Sequence, residues 1–84
     1  MNSTHRKTLA AVFVEPVNGA IECSRIEALL LAAGCRRVEG DGSSVTFEKD
    51  SAKAYFHRPH PRKEALHYRV KDARAFLLRI GVKP

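Results

Sequence analysis

The sequence predicts an α+β domain, a three-stranded antiparallel sheet packed against helices in an α-β-β-β-α core with one extra helix at the N-terminus. Three observations carry this reading. A helical run over residues 24–33 opens on capping chemistry and closes on a glycine. Three short strand-like runs then follow one another across turn residues, and connections that short join antiparallel neighbours. A last helical run near the C-terminus supplies another apolar face, and antiparallel sheets commonly cover one face with helices while leaving the other open. At 84 residues with 44% hydrophobic content, the chain can build one modest core and no second one. With no Trp and few aromatics, that core must be largely aliphatic.

Taken in order, residues 3–14 form a short helix with Asn2, Ser3 or Thr4 available as N-cap. Leu9, Val12 and Phe13 mark its apolar face. Pro16, Asn18 and Gly19 make a turn, so residues 1–22 read as a helical extension on a domain spanning 23–84. In the second helix, Ser24 with Glu27 three residues later forms a capping box. Ile26, Leu29, Leu30 and Ala33 line its buried face, and Gly34 stops it. The strands are 35–39, 44–48 and 52–57, separated by Gly40-Asp41-Gly42 and by Lys49-Asp50-Ser51. Val45 and Phe47 share one face of the second. The segment from Arg58 to Arg69 is long for a connection in so small a chain, a property of functional loops. The closing helix, 70–80, carries Val70, Ala73, Leu77 and Ile80 on one side and ends at Gly81.

The richest chemistry lies in Phe56-His57-Arg58-Pro59-His60-Pro61-Arg62-Lys63. Histidine exchanges protons near neutral pH, and cations hold a phosphate beside it. The prolines exclude a helix or a central strand, which makes the segment a stiff exposed loop. Charge is unevenly placed. Residues 53–84 carry nine Lys or Arg against Glu64 and Asp72, a balance of +7, while residues 1–52 carry six against seven acids, a balance of −1. A basic half points to a polyanion, with nucleic acid the commonest. Lys53, Arg58, Arg62 and Lys63 belong to that half. Arg69, Lys71 and Arg74 lie toward the start of the last helix, where complementing the helix dipole does not account for them. Arg36 and Arg37, adjacent in a strand, point to opposite faces; one of them can join the basic surface. Tyr55 and Phe56 alternate as well, so either one is core and the other faces outward as a stacking platform, or both are partly buried.

Other chemistries find less support. Cys23 and Cys35 lack metal-ligand spacing and read as reduced thiols. His57 and His60 lack an acid or cysteine to complete a metal set, so neither metal nor small-molecule cofactor is expected. His5 and His67 read as solvated. Ser43 and Ser44 sit in no nucleophile elbow and read as turn serines. The N-terminal apolar run, 9–14, is too short for a signal-peptide core or a membrane span, so the expected setting is the cytoplasm.

Four features resemble the HicA family of bacterial toxins: the helix ending in Gly34, the Gly42-Ser43 turn into the second strand, the Pro59-x-Pro61 loop with His60, and the closing Ile80-Gly81-Val82. The resemblance covers about residues 23–82. It implies a fold similar to double-stranded-RNA-binding domains, metal-independent endoribonuclease cleavage of messenger RNA, and a HicB-type antitoxin as partner. The family's catalytic histidine follows Gly-Ser. Here Ser44 stands in its place, and a serine hydroxyl does not serve as general base near neutral pH. That leaves His57 and His60 as the catalytic candidates, with phosphate contact as the alternative role for the same two residues. The RNA-contacting set is Arg37, Ser43, Ser44 and the cations of the basic half named above. Two other readings stand beside this one: a non-catalytic RNA- or DNA-binding module, and a protein-interaction module for an acidic partner.

Overall fold

Hairpin turns and helix stops determine where this chain changes direction. The computed structural model describes all 84 residues, in the order α1 (Ser3–Val12), α2 (Cys23–Ala32), β1 (Arg36–Glu39), β2 (Ser44–Lys49), β3 (Ala52–His57) and α3 (His67–Arg79). The strands form one antiparallel sheet in the order β1-β2-β3. Gly42, at φ +58°, makes the first turn, and Asp50, at φ +55°, makes the second. Both conformations suit the residues found there, since Gly and Asp tolerate the left-handed region. The α+β architecture predicted from the sequence is the one observed.

Helix ends show both agreement and correction. Asn2 caps α1, its Oδ1 accepting from the His5 amide at 2.9 Å. Gly34 terminates α2 at φ +95°, with the Cys35 amide donating back to the Leu30 carbonyl. Lys49 Nζ adds a bond to the Ala33 carbonyl at 2.8 Å, satisfying an orphan acceptor at that end. The capping box, however, does not form. The N-cap of α2 is Glu22, with no side-chain cap bond, and Ser24 lies exposed inside the first turn. Glu27 is instead turned inward, where a charge-assisted pairing with Arg58 outweighs a cap bond. Helix α3 begins at His67, three residues before the expected Val70. Its first turn carries His67 and Tyr68 toward solvent, so the apolar periodicity starts late. The preceding connection shortens to 58–66 accordingly.

Register assigns the two faces of the sheet. Val45 pairs with Phe56 and Phe47 with Ala54, and these side chains meet the helices. Ile26, Leu29 and Leu30 of α2 and Val70, Ala73, Phe76 and Leu77 of α3 pack over them. The Phe47 and Phe56 rings meet edge to face with centroids 6.1 Å apart. Leu9 and Val12 of α1 are buried in the same core. The opposite face, carrying Val38, Ser44, Thr46, Tyr55 and His57, has no layer over it.

Two adjacent leucines test this packing. Leu30 is fully buried, whereas Leu31 is 40% exposed. Leu30→Ala should lower unfolding stability by about 2–5 kcal/mol in a urea titration. Leu31→Ala should change it by less than about 0.5 kcal/mol.

Candidate functional site

The site is built where β2 begins and β3 ends. Ser44 and His57 are cross-strand partners. The ring Nε2 lies 3.3 Å from Ser44 Oγ, and Nδ1 lies 3.4 Å from Ser43 Oγ. An imidazole therefore stands beside Ser44, supplied by the neighbouring strand. On the other side of Ser44, Gly40 lets the β1–β2 turn close tightly, because a Cβ at that position would lie 3.0 Å from the Ser44 Cβ. His60 makes no side-chain hydrogen bond and stays exposed in the following segment. Of the two candidate histidines, only His57 meets the Gly-Ser-Ser turn.

The residue after His57 anchors it. Arg58 donates Nε and Nη2 to both oxygens of Glu27 at 2.8 and 3.0 Å, and Nη1 and Nη2 to both oxygens of Glu39 at 2.9 and 3.1 Å. One guanidinium thus joins α2, the end of β1 and the end of β3. Its backbone amide also donates to the Ser43 carbonyl at 3.0 Å, extending the β2–β3 ladder past His57. The two carboxylates push the Arg58 guanidinium further up. In return, the hydrogen bond from Arg58 holds the Glu39 carboxyl below the usual carboxylate range. Arg37 completes the cluster, 3.3 Å from Glu39 and 3.9 Å from Glu27. Burial, aided by the Glu27 charge, pushes the nearby Cys23 thiol up, so it stays protonated.

The remaining cations divide into engaged and free. Arg74 donates Nε to the Val12 carbonyl and Nη2 to the Val14 carbonyl, and pairs with Glu15. It caps the C-terminus of α1 and holds that helix on the domain. Lys53 and Arg36 share Glu48, whose carboxyl is held low chiefly by Arg36. Arg69 lies beside Asp72 and against the Tyr68 ring. Arg62, Lys63 and Lys71 are exposed and pair with no carboxylate. Sequence counting could not separate these groups, because partners such as Glu27 and Glu15 lie far away in the chain.

The segment carrying Arg62 and Lys63 is not a free loop. The Cys23 amide donates to the Lys63 carbonyl at 2.9 Å, and the Ala65 amide to the Ile21 carbonyl at 2.8 Å. These bonds lace it to the approach into α2, with a groove of about 580 Å³ left between them. His67, expected to be solvated, is exposed, with one edge of its ring so close to Gly19 that a side chain there would collide with it. Both cysteines are free thiols. No three His, Cys, Asp or Glu side chains converge as a metal-ligand group, and no helix is long and apolar enough to cross a membrane.

A family model described as the HicA toxin of bacterial toxin-antitoxin systems matches residues 23–80. The chain belongs to the HicA toxin family. No curated protein and no solved structure matches it. The family match runs from the first residue of α2 to the end of α3, so it contains the His57 site, the Arg58 clamp and the laced segment. Within this HicA domain, Gly40, Glu27 and Glu39 are the supporting residues that sequence reasoning missed. The Glu27-to-Arg58 separation left no local signal.

Arg58→Ala should leave the buried Glu27 short of its main partner and lower stability by roughly 2–3 kcal/mol. Arg58→Lys should restore only part of this, since an ammonium cannot fork between two carboxylates. Arg62→Ala and Lys63→Ala should each stay within about 0.5 kcal/mol in the same urea titrations. Because Glu39 is held low, its contribution is present above the ordinary carboxylate range and is lost as pH falls through its depressed value. Arg58→Ala should therefore also flatten the acid limb of stability against pH.

Proposed function

We propose that this chain is the RNA-cleaving toxin of a toxin-antitoxin pair, acting on messenger RNA in the cytoplasm with His57 as its general base. The observation that carries the reading is the contact of the His57 ring with the Ser43 and Ser44 hydroxyls. A neutral imidazole donates one N–H to a hydroxyl and leaves its other nitrogen as an acceptor. That acceptor, which faces the second serine hydroxyl in the free protein, takes the proton of a ribose 2′-OH once RNA displaces that hydroxyl. The 2′ oxygen then attacks the adjacent phosphorus, the bond to the 5′ oxygen breaks, and the leaving oxygen takes a proton from water. The serine hydroxyls donate to the phosphate oxygens as charge develops on them.

The free cations supply electrostatic attraction. Arg62, Lys63 and Lys71 can neutralise phosphates without first breaking an ion pair. Arg58 and Arg74 cannot, so their proposed role narrows to positioning His57 and holding α1. Arg37, Lys53 and Arg69 contact RNA only from within existing pairs. His60, beside Arg62 and Lys63, belongs with the anion-contacting group. The family membership supports a HicB-type antitoxin as partner, and a basic toxin surface suits an acidic one.

Incubating messenger RNA with the wild-type protein in the presence of a metal chelator should yield fragments. His57→Ala should slow fragmentation by about a hundredfold or more, while His60→Ala should leave the cleavage step near wild type. Wild-type cleavage by His57→Ala would contradict the proposal. Salt-dependent binding without fragments would assign the chain to the non-catalytic reading.

A further inference from the structure

The uncovered face of the sheet carries three aligned rows. One holds Ser44 and His57; the middle one holds Val38, Thr46 and Tyr55; the third holds Arg36, Glu48 and Lys53. Register settles the alternative left by the sequence. Phe56 is core, and Tyr55 faces outward, 69% exposed, beside Thr46 and in the same row as Val38, which is itself 41% exposed. The Tyr55 side chain makes no hydrogen bond and no aromatic contact within the chain. A solvent-facing ring in an uncovered row, unused by the fold, calls for an occupant.

From the His57 site, we infer that this face is a nucleobase-stacking platform, with Tyr55 receiving a base of the strand whose phosphate lies at His57 and Ser44. The inference rests on the RNA-cleaving reading and adds the form in which RNA is taken. Lys53, Tyr55 and His57 project from one face of β3 at two-residue steps of roughly 6.6–7 Å. That spacing is close to the phosphate repeat of an extended polynucleotide strand. The three side chains are a cation, a ring and an imidazole, matching phosphate, base and ribose hydroxyl in turn. The third row keeps one net positive charge, two cations against Glu48, which suits a polyanion. Bases in a duplex are already stacked on each other and give Tyr55 nothing to receive. An A-form helix also holds the 2′ oxygen, phosphorus and 5′ oxygen out of line for attack. The face therefore takes single-stranded RNA and refuses the duplex.

The test uses a fluorophore-labelled single-stranded RNA, 2′-O-methylated so that it cannot be cut, and the same RNA annealed to its complement. By fluorescence anisotropy, Tyr55→Ala should weaken single-strand binding about tenfold, within the range carried by one stacked base. Tyr55→Phe, which keeps the ring, should bind within about twofold of wild type. The duplex should bind more weakly than the single strand and be indifferent to Tyr55→Ala. A second readout does not depend on affinity. The chain has two Tyr and no Trp, so Tyr68→Phe leaves Tyr55 as the sole strong fluorophore. Single-stranded RNA should then quench its emission. Equal binding by wild type and Tyr55→Ala without quenching would overturn the stacking inference while leaving the RNA reading intact. No binding of either RNA at low salt would overturn both. Duplex preferred over single strand, or Tyr55→Ala weakening only the binding of an acidic antitoxin, would reassign the face to that other occupant.

Discussion

One guanidinium ties this domain together beside the candidate site. Arg58 reaches Glu27 on α2 and Glu39 at the end of β1 while its own backbone closes the β2–β3 ladder against Ser43. Without it, the end of β3 would be a fraying strand terminus before a proline. With it, His57 is held between a hydrogen-bonded amide on one side and a buried core residue, Phe56, on the other. The pairing also accounts for an apparent oddity of α2, whose acid three residues after a serine is used across the fold instead of at the helix start. Glu27 is 8% exposed, and a carboxylate that deep requires a forked cation.

The fold was largely legible because its signals are local. Gly34, Gly42 and Gly81 sit at the helix stops and the hairpin turn, each at positive φ. Alternation over Val45 and Phe47 declared the face that meets the helices. The start of α3 was not legible, since His67 and Tyr68 contribute nothing to its apolar stripe. The failure of the capping box has a different origin. Local hydrogen-bond preference competed with a long-range ion pair, and the ion pair won.

The site was half legible. Histidine near prolines and cations marked one half of the candidate site, and the serine after Gly42-Ser43 marked the other. What joined them was strand register, which sets Ser44 opposite His57 and no other residue. Formal charge was a poorer guide. The basic half of the sequence suggested a broad cationic surface, yet Arg58 and Arg74 are engaged by the fold, one as a clamp and one as a helix cap. Of the cations expected to contact RNA, only Arg62, Lys63 and Lys71 pair with no carboxylate, supplemented by the partly neutralised row on the open face. A cation's sequence neighbourhood says how much field it adds, but only its partners say whether it is free to meet a phosphate.

The central claim is that RNA meets this protein where β2 begins and β3 ends. The most direct measurement is an amide NMR titration with a short, uncleavable single-stranded RNA, read residue by residue. The largest shifts should gather at Ser43, Ser44, Tyr55 and His57, with smaller ones at Arg62 and Lys63. Shifts confined to α1 or to the exposed side of α2, with the His57 end of the sheet unmoved, would contradict it.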